Sequence, residues 1–120
     1  MKRDVVTTYK ADIYLGLRYK YDGDIQPIEM VKNICQKYCD EVGACVTITE
    51  TEFIYTEGNE NGVIVGFIKY PRFPQQSHKI KSESIHLANL LMIELNQFRC
   101  SVVCSDDTIM LTNRNIQQDF

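Results

Sequence analysis

Apolar and polar residues alternate most regularly near the start of the chain. Over residues 8–18, Tyr9, Ala11, Ile13, Leu15 and Leu17 form one face, and Lys10, Asp12, Tyr14 and Arg18 form the other. A period of two with a single apolar face predicts a half-buried strand. Asp22-Gly23-Asp24 breaks it, and the period then lengthens. Pro27 suits a first helical turn, where its missing N–H costs nothing. Ile28, Val31, Cys35, Tyr38 and Val42 follow at helical spacing, and Gly43 offers a left-handed stop. A helix is predicted over 27–42.

The β-branched run Ala44–Thr49 and the segment Glu52–Thr56 predict two further strands. Glu57–Gly62 reads as a turn, because its glycines and asparagines tolerate positive φ. Val63–Tyr70 is nearly all apolar and predicts a central strand covered on both faces. Gly66 within it predicts a bulge or a close backbone approach. Pro71 and Pro74 end the strand. Ile80, Ser84, Leu87, Leu91, Leu95 and Phe98 mark a second helix over 78–98. Cys100–Cys104 and Thr108–Thr112 flank Ser105-Asp106-Asp107 as a last hairpin, and the polar tail from Asn113 is expected to fray. The predicted order is β-α-β-β-β-α-β-β in one domain, 1–120, with an ordered core of about 8–112. The expected class is α+β, a mostly antiparallel sheet with two helices on one face, with a ferredoxin-like arrangement as the nearest named architecture.

Composition narrows the classes of function. With 120 residues, 44% hydrophobic and 24% charged, the chain suits one ordinary core. Met1–Val6 lacks the apolar centre of a signal peptide, and no apolar run approaches the ~18–20 residues of a membrane span. A cytoplasmic protein without a membrane partner is expected. A net charge of −3 and a pI near 5.3, without any lysine- or arginine-rich run, argue against general nucleic-acid binding. A pocket with a few placed arginines fits that balance.

The cysteines are Cys35, Cys39, Cys45, Cys100 and Cys104. An odd number without an export signal argues against a disulfide framework. The two C-x3-C pairs do not sit in the glycine-opened turns that hold structural zinc. Core thiols are expected, and no metal or cofactor.

Catalytic chemistry needs a nucleophile, a base or a metal in mutual reach. His78 opens the second helix and His86 falls off its apolar stripe, so both are expected to face solvent. Asp106 and Asp107 fit turn chemistry alone. Phosphate-binding and nucleophile-elbow glycine patterns do not occur. The expectation is a binding protein, not an enzyme. Lys69-Tyr70-Pro71-Arg72-Phe73-Pro74 is the first candidate, with Tyr70 and Phe73 stacking a base and Arg72 gripping phosphate. A connector whose aromatics cap the core explains the same residues. Tyr55, Asn59 and Asn61 offer loop donors, though a plain hairpin turn needs no ligand. Arg18, with Tyr14, Tyr19 and Tyr21 around it, gives a third surface and a second phosphate contact. Tyrosines gathered on a strand face favour self-association, so a homo-oligomer is expected, most simply a two-fold dimer.

Ala11–Leu17, Tyr38–Gly43, Phe53–Glu60 and Val65–Pro74 together resemble short bacteriophage proteins, over roughly residues 8–112. Among characterised ones the chain looks most like anti-defence sponges, such as the Thoeris anti-defence group. That resemblance implies a phage-type oligomer in the host cytoplasm. It would sequester a cyclic nucleotide or a cyclic ADP-ribose signal without cleaving it. Alternatives are a protein–protein inhibitor of a defence enzyme and a small hydrolase of such signals. No site residue is carried over from the resemblance.

Overall fold

The computed structural model describes residues 1–20 and 22–113. Its elements are β1 (Lys10–Gly16), α1 (Ile28–Val42), β2 (Thr47–Tyr55), β3 (Gly58–Ile68), α2 (Ser77–Glu94), β4 (Arg99–Cys104) and β5 (Thr108–Thr112). The strands form one five-stranded sheet in the order β2-β3-β1-β4-β5. Every neighbouring pair is antiparallel. Two strands separated by one antiparallel neighbour run parallel, so β1-α1-β2 is a split β-α-β unit with β3 in its gap. β3-α2-β4 is a second, with β1 in its gap. Such crossovers are right-handed, which places both helices on the same side. The predicted α+β class with two helices on one face is therefore the observed one. β5 extends the ferredoxin-like pattern by one strand.

The alternation in β1 decides which face is covered. Ala11, Ile13, Leu15 and Leu17 are buried under the helices, as are their cross-strand partners Phe67, Val65 and Val63 on β3 and Val102 on β4. From above, Val31, Cys35 and Tyr38 of α1 and Ile80, Leu87, Leu91 and Met92 of α2 close the core. The Tyr38 ring meets Phe67 edge-on at 6.5 Å. Full burial of one such aliphatic side chain stabilises the fold by about 1.5–3 kcal/mol.

Several expectations need correction. The two strands predicted over 44–56 are one continuous strand, β2, so the described residues form seven elements where eight were expected. Only Glu57 of the turn takes positive φ (61°), and β3 begins directly at Gly58. Asn59, Glu60 and Asn61 are thus strand residues, because their backbone pairs with β2 from Tyr55↔Gly58 onward. β3 is covered on one face only: Val63, Val65 and Phe67 are buried, whereas Ile64 is half-buried and Ile68 exposed. Gly66 makes no bulge. Its register with Asp12 and Thr47 is regular, and a Cβ there would lie 2.8 Å from an oxygen of each. Close approach was the correct half of that expectation. α2 stops at Glu94, short of Phe98, because Asn96 turns left-handed (φ 53°). Gly43 ends α1 as predicted, at φ 72° with its N–H on the Cys39 carbonyl.

No helix among the described residues is long and apolar enough to cross a membrane. Cys35 and Cys100 are core thiols, and burial pushes each up to about 12. Cys104 is buried too, whereas Cys39 is half-buried and Cys45 exposed. The expectations for Tyr21 and for the tail beyond Asn113 lie outside the described residues.

Ile13 is fully buried between β3 and β4, whereas Ile54 on β2 is 74% exposed. Ile13→Ala is expected to lower unfolding free energy by about 2–5 kcal/mol, and Ile54→Ala by less than about 0.5. Urea denaturation of both variants measures the contrast.

Candidate functional site

The eight residues singled out for binding fall into two groups at opposite ends of β3. Asn61 and Lys69 are eight residues apart, roughly 27 Å at ~3.4 Å per strand residue. No single small ligand bridges them.

At the far end, Tyr70 and Phe73 close a tight turn through an isolated bridge, with the Phe73 N–H on the Tyr70 carbonyl at 3.1 Å. They wall a cavity of about 270 Å³ with Cys45, Phe67, Ile80 and Glu83. The Cys45 thiol donates to the Tyr70 hydroxyl at 3.4 Å. That bond, with burial second, raises the phenol above its ordinary range. Arg72 is stacked on its own neighbour, 5.2 Å from the Phe73 ring centre, and Lys69 donates to Thr7 Oγ1 at 2.9 Å.

At the near end the strands meet a second group. Tyr55 donates to the Asn59 carbonyl at 3.4 Å, and Asn59 Nδ2 donates to Glu52 at 2.6 Å, so both serve the hairpin. The Asn61 carbonyl accepts the Leu17 N–H at 3.1 Å, extending the β1–β3 ladder to the threshold of Arg18. Arg18 is fixed from several sides. Its backbone pairs with Ile25, its carbonyl accepts from buried Gln97 at 2.6 Å, and its Nη1 donates to the Gly23 carbonyl at 3.2 Å. Gln26 fastens the same loop to the end of α2 through the Leu95 carbonyl at 2.7 Å.

Glu60 stands in the middle of this group. Gly16 faces Gly62 across β1 and β3, on the side of the sheet away from the helices. A Cβ at Gly16 would lie 2.5 Å from Glu60 Oε1, and a Cβ at Gly62 would overlap the Phe53 ring. Two glycines therefore make a floor of bare backbone, over which a carboxylate and an aromatic ring lie side by side. Burial pushes the Glu60 carboxyl above the usual carboxylate range, and the charge of Arg18 offsets this only in part. A half-buried carboxylate beside an aromatic face suits a cation attached to a flat ring.

Sequence reading missed Glu60 by placing it in a turn. The signal was present as alternation: Glu60, Gly62, Ile64 and Gly66 share one face once the strand is extended upstream past Val63. Tyr14 and Ile64, paired across β1 and β3, belong to that face as well.

A third polar group lies at the β4–β5 turn. Lys81 of α2 ion-pairs with Asp106 at 3.3 Å and Asp107 at 2.9 Å, and the Tyr9 hydroxyl donates to Asp106 at 2.9 Å. These aspartates do more than turn chemistry, since they tie the hairpin to β1 and α2. Ligand atoms of Cys104, Asp106 and Asp107 lie within 4.8 Å of one another, with the Lys81 ammonium already neutralising the carboxylates. Of the histidines, His78 is exposed as expected, and exposed His86 rests 5.9 Å from the Tyr38 ring.

No protein-family model matches the chain, and no curated protein matches it. Solved structures do. The fold is similar to a phage SAM lyase in complex with S-methyl-5'-thioadenosine, with a TM-score of 0.78 at 19% identity, over 94% of this chain and 95% of that one. A phage SAM lyase in the apo state matches with a TM-score of 0.74 at 17% identity, over 88% and 90%. Both of these neighbours are phage proteins, in line with the expected resemblance. Its functional side is corrected: the neighbours are an enzyme, which overturns both the non-enzymatic expectation and sequestration without cleavage.

The Tyr9 hydroxyl bond, followed by Lys81, holds Asp106 below its ordinary value. A depressed carboxylate contributes stability above the unfolded value near ~3.9, lost as pH falls through the lower folded value. Melting temperature of the wild type is expected to fall more steeply than that of Asp106→Asn between about pH 4 and pH 2. Parallel slopes would show that the lock contributes nothing.

Proposed function

We propose that this chain cleaves S-adenosylmethionine to S-methyl-5'-thioadenosine, with Glu60 holding the cationic end of the substrate. The observation that carries this reading is the Glu60 carboxylate, half-buried over the Gly16–Gly62 floor beside Phe53. The whole-chain likeness to a lyase supports it as an analogy of fold.

The ligand class follows from the charges. A phosphate-bearing signal would call on Arg18 and Arg72, yet Arg72 lies on Phe73 and Arg18 donates to the Gly23 carbonyl. A sulfonium or ammonium instead calls on a carboxylate, and an adenine on an aromatic face such as Phe53. The connector cavity offers aromatics and the Glu83 carboxylate, but no pair of glycines facing each other across two strands. Lys69, Tyr70, Arg72 and Phe73 are therefore left to the connector role, and Tyr55, Asn59 and Asn61 to shaping the hairpin that carries Glu60.

The chemistry balances without a protein nucleophile. The sulfur–Cγ bond breaks with its electron pair passing to sulfur, and the sulfonium becomes a neutral thioether. In the proposed step the substrate's own carboxylate supplies Cγ with its new electron pair and closes a five-membered lactone, with no water added. No proton moves. Opposite charges are cancelled in the step, so a poorly hydrated site favours it over bulk water. This agrees with a chain whose described histidines and cysteines form no acid–base pair near Glu60.

Self-association belongs to the same proposal. The open face of the sheet presents half-buried Tyr14 and Ile64 beside Val103 at 37% and Met110 at 63% exposure. A second copy over this face would also wall the Glu60 site.

Chromatography of S-adenosylmethionine incubated with the protein is expected to show S-methyl-5'-thioadenosine appearing as substrate disappears; intact substrate overturns the reading. Glu60→Gln is expected to raise KM roughly ten- to a hundred-fold, the equivalent of one charged hydrogen bond. Because the ionised carboxylate binds the cation, wild-type KM should climb as pH falls through the raised Glu60 value, and the glutamine variant's KM should not. For assembly, light scattering at high micromolar concentration should report an oligomer that Met110→Lys weakens, and a wild-type monomer would refute it.

A further inference from the structure

β2 is an outer strand of the sheet. Natural edges are commonly protected by lysines, prolines, bulges or shortness, because unpaired backbone groups recruit other strands. β2 has no lysine, proline or bulge and is not short; its two glutamates are its only charged protection. It runs nine residues as Thr-Ile-Thr-Glu-Thr-Glu-Phe-Ile-Tyr, and its register against β3 is unbroken from Thr47↔Gly66 to Tyr55↔Gly58. Among the described residues no strand pairs with its outer side. Its charges are Glu50 and Glu52, both exposed and on one face. That face is opposite to the one bearing Glu60 and Phe53, so the two charges point away from the cleavage site. Beyond the charges, Ile54 is 74% and Tyr55 58% exposed.

The spacing of the charges selects what can pair here. A second copy lying antiparallel over all nine residues would be centred on Thr51. Glu50 would then face Glu52 of the copy, twice, and directly opposed like charges destabilise a ladder. The same positions attract a strand that brings positive charges to them.

We propose that the outer edge of β2 docks one extended strand of a partner protein carrying lysine or arginine at alternate positions. Backbone hydrogen bonds would lengthen the sheet to a sixth strand, Glu50 and Glu52 would fix the register, and Ile48 and Ile54 would flank the charged pair with apolar contacts. Salt weakens the charged contacts and leaves the backbone bonds.

The test uses the full chain and two fluorescein-labelled seven-residue peptides of alternating threonine and lysine, or threonine and glutamate. Fluorescence anisotropy is expected to show about a ten-fold preference for the lysine peptide, shrinking with salt. Amide exchange should slow in β2 on binding. Glu50→Lys with Glu52→Lys should reverse the preference. Glu50→Gln with Glu52→Gln should erase it in a protein whose thermal melt is unchanged, which guards against a misfolded reversal variant. The proposal is overturned if neither peptide binds below millimolar concentration, or if the glutamine variant keeps the preference. Protection on another strand, or β2 amides already protected by a second copy, overturns it equally.

Discussion

Everything in this molecule depends on β1 being paired on both sides while apolar on only one. Its backbone is hydrogen-bonded to β3 and β4 together, which fixes it at the centre of the sheet. Its odd-numbered residues from Tyr9 to Leu17 then demand cover on a single face. Right-handed crossovers can supply helices to that face alone. The opposite face is left to even-numbered residues: Asp12, Tyr14 and Gly16 on β1, and Glu60, Gly62, Ile64 and Gly66 on β3. A cationic substrate and a second copy of the chain are both proposed for the uncovered side, and its existence follows from one strand's alternation.

Much of this was legible in the sequence. β1, α1 and the β4–β5 hairpin were readable because local period, caps and turns agreed with one another. β2 was split in two because Glu50-Thr51-Glu52 interrupts the apolar pattern, and at an exposed edge such an interruption has no structural cost. The β2–β3 turn was placed too late because its asparagines and glycines look like turn formers. Cross-strand pairing with β2 overrides that local preference from Gly58 onward. β3 was taken for a strand covered on both faces because isoleucines on an open face cannot be told by composition from buried ones.

The candidate site was less legible, for a related reason. Aromatic and basic residues in a proline-bounded segment attract notice one after another, as Tyr70, Arg72 and Phe73 did. Glu60 gains its character only from what the fold places beside it: a glycine from a strand more than forty residues earlier, and a phenylalanine from the neighbouring hairpin arm. Burial and the proximity of Arg18 shift its carboxyl in opposite directions, and neither effect is a property of the local sequence. The polar clamps Gln26 and Gln97, which hold Arg18 in place, were invisible for the same cause.

The bond between Tyr9 and Asp106 joins positions 97 apart in the chain. β1 is made before both of its sheet partners, β3 and then β4. At ~5–20 residues per second, several seconds or more of translation separate Tyr9 from Asp106. Until β3 and the helices emerge, the central strand has two bare edges and an uncovered apolar face, and its β4 edge stays bare for nearly the whole interval. The nascent chain is therefore most exposed to misassociation at its own future centre.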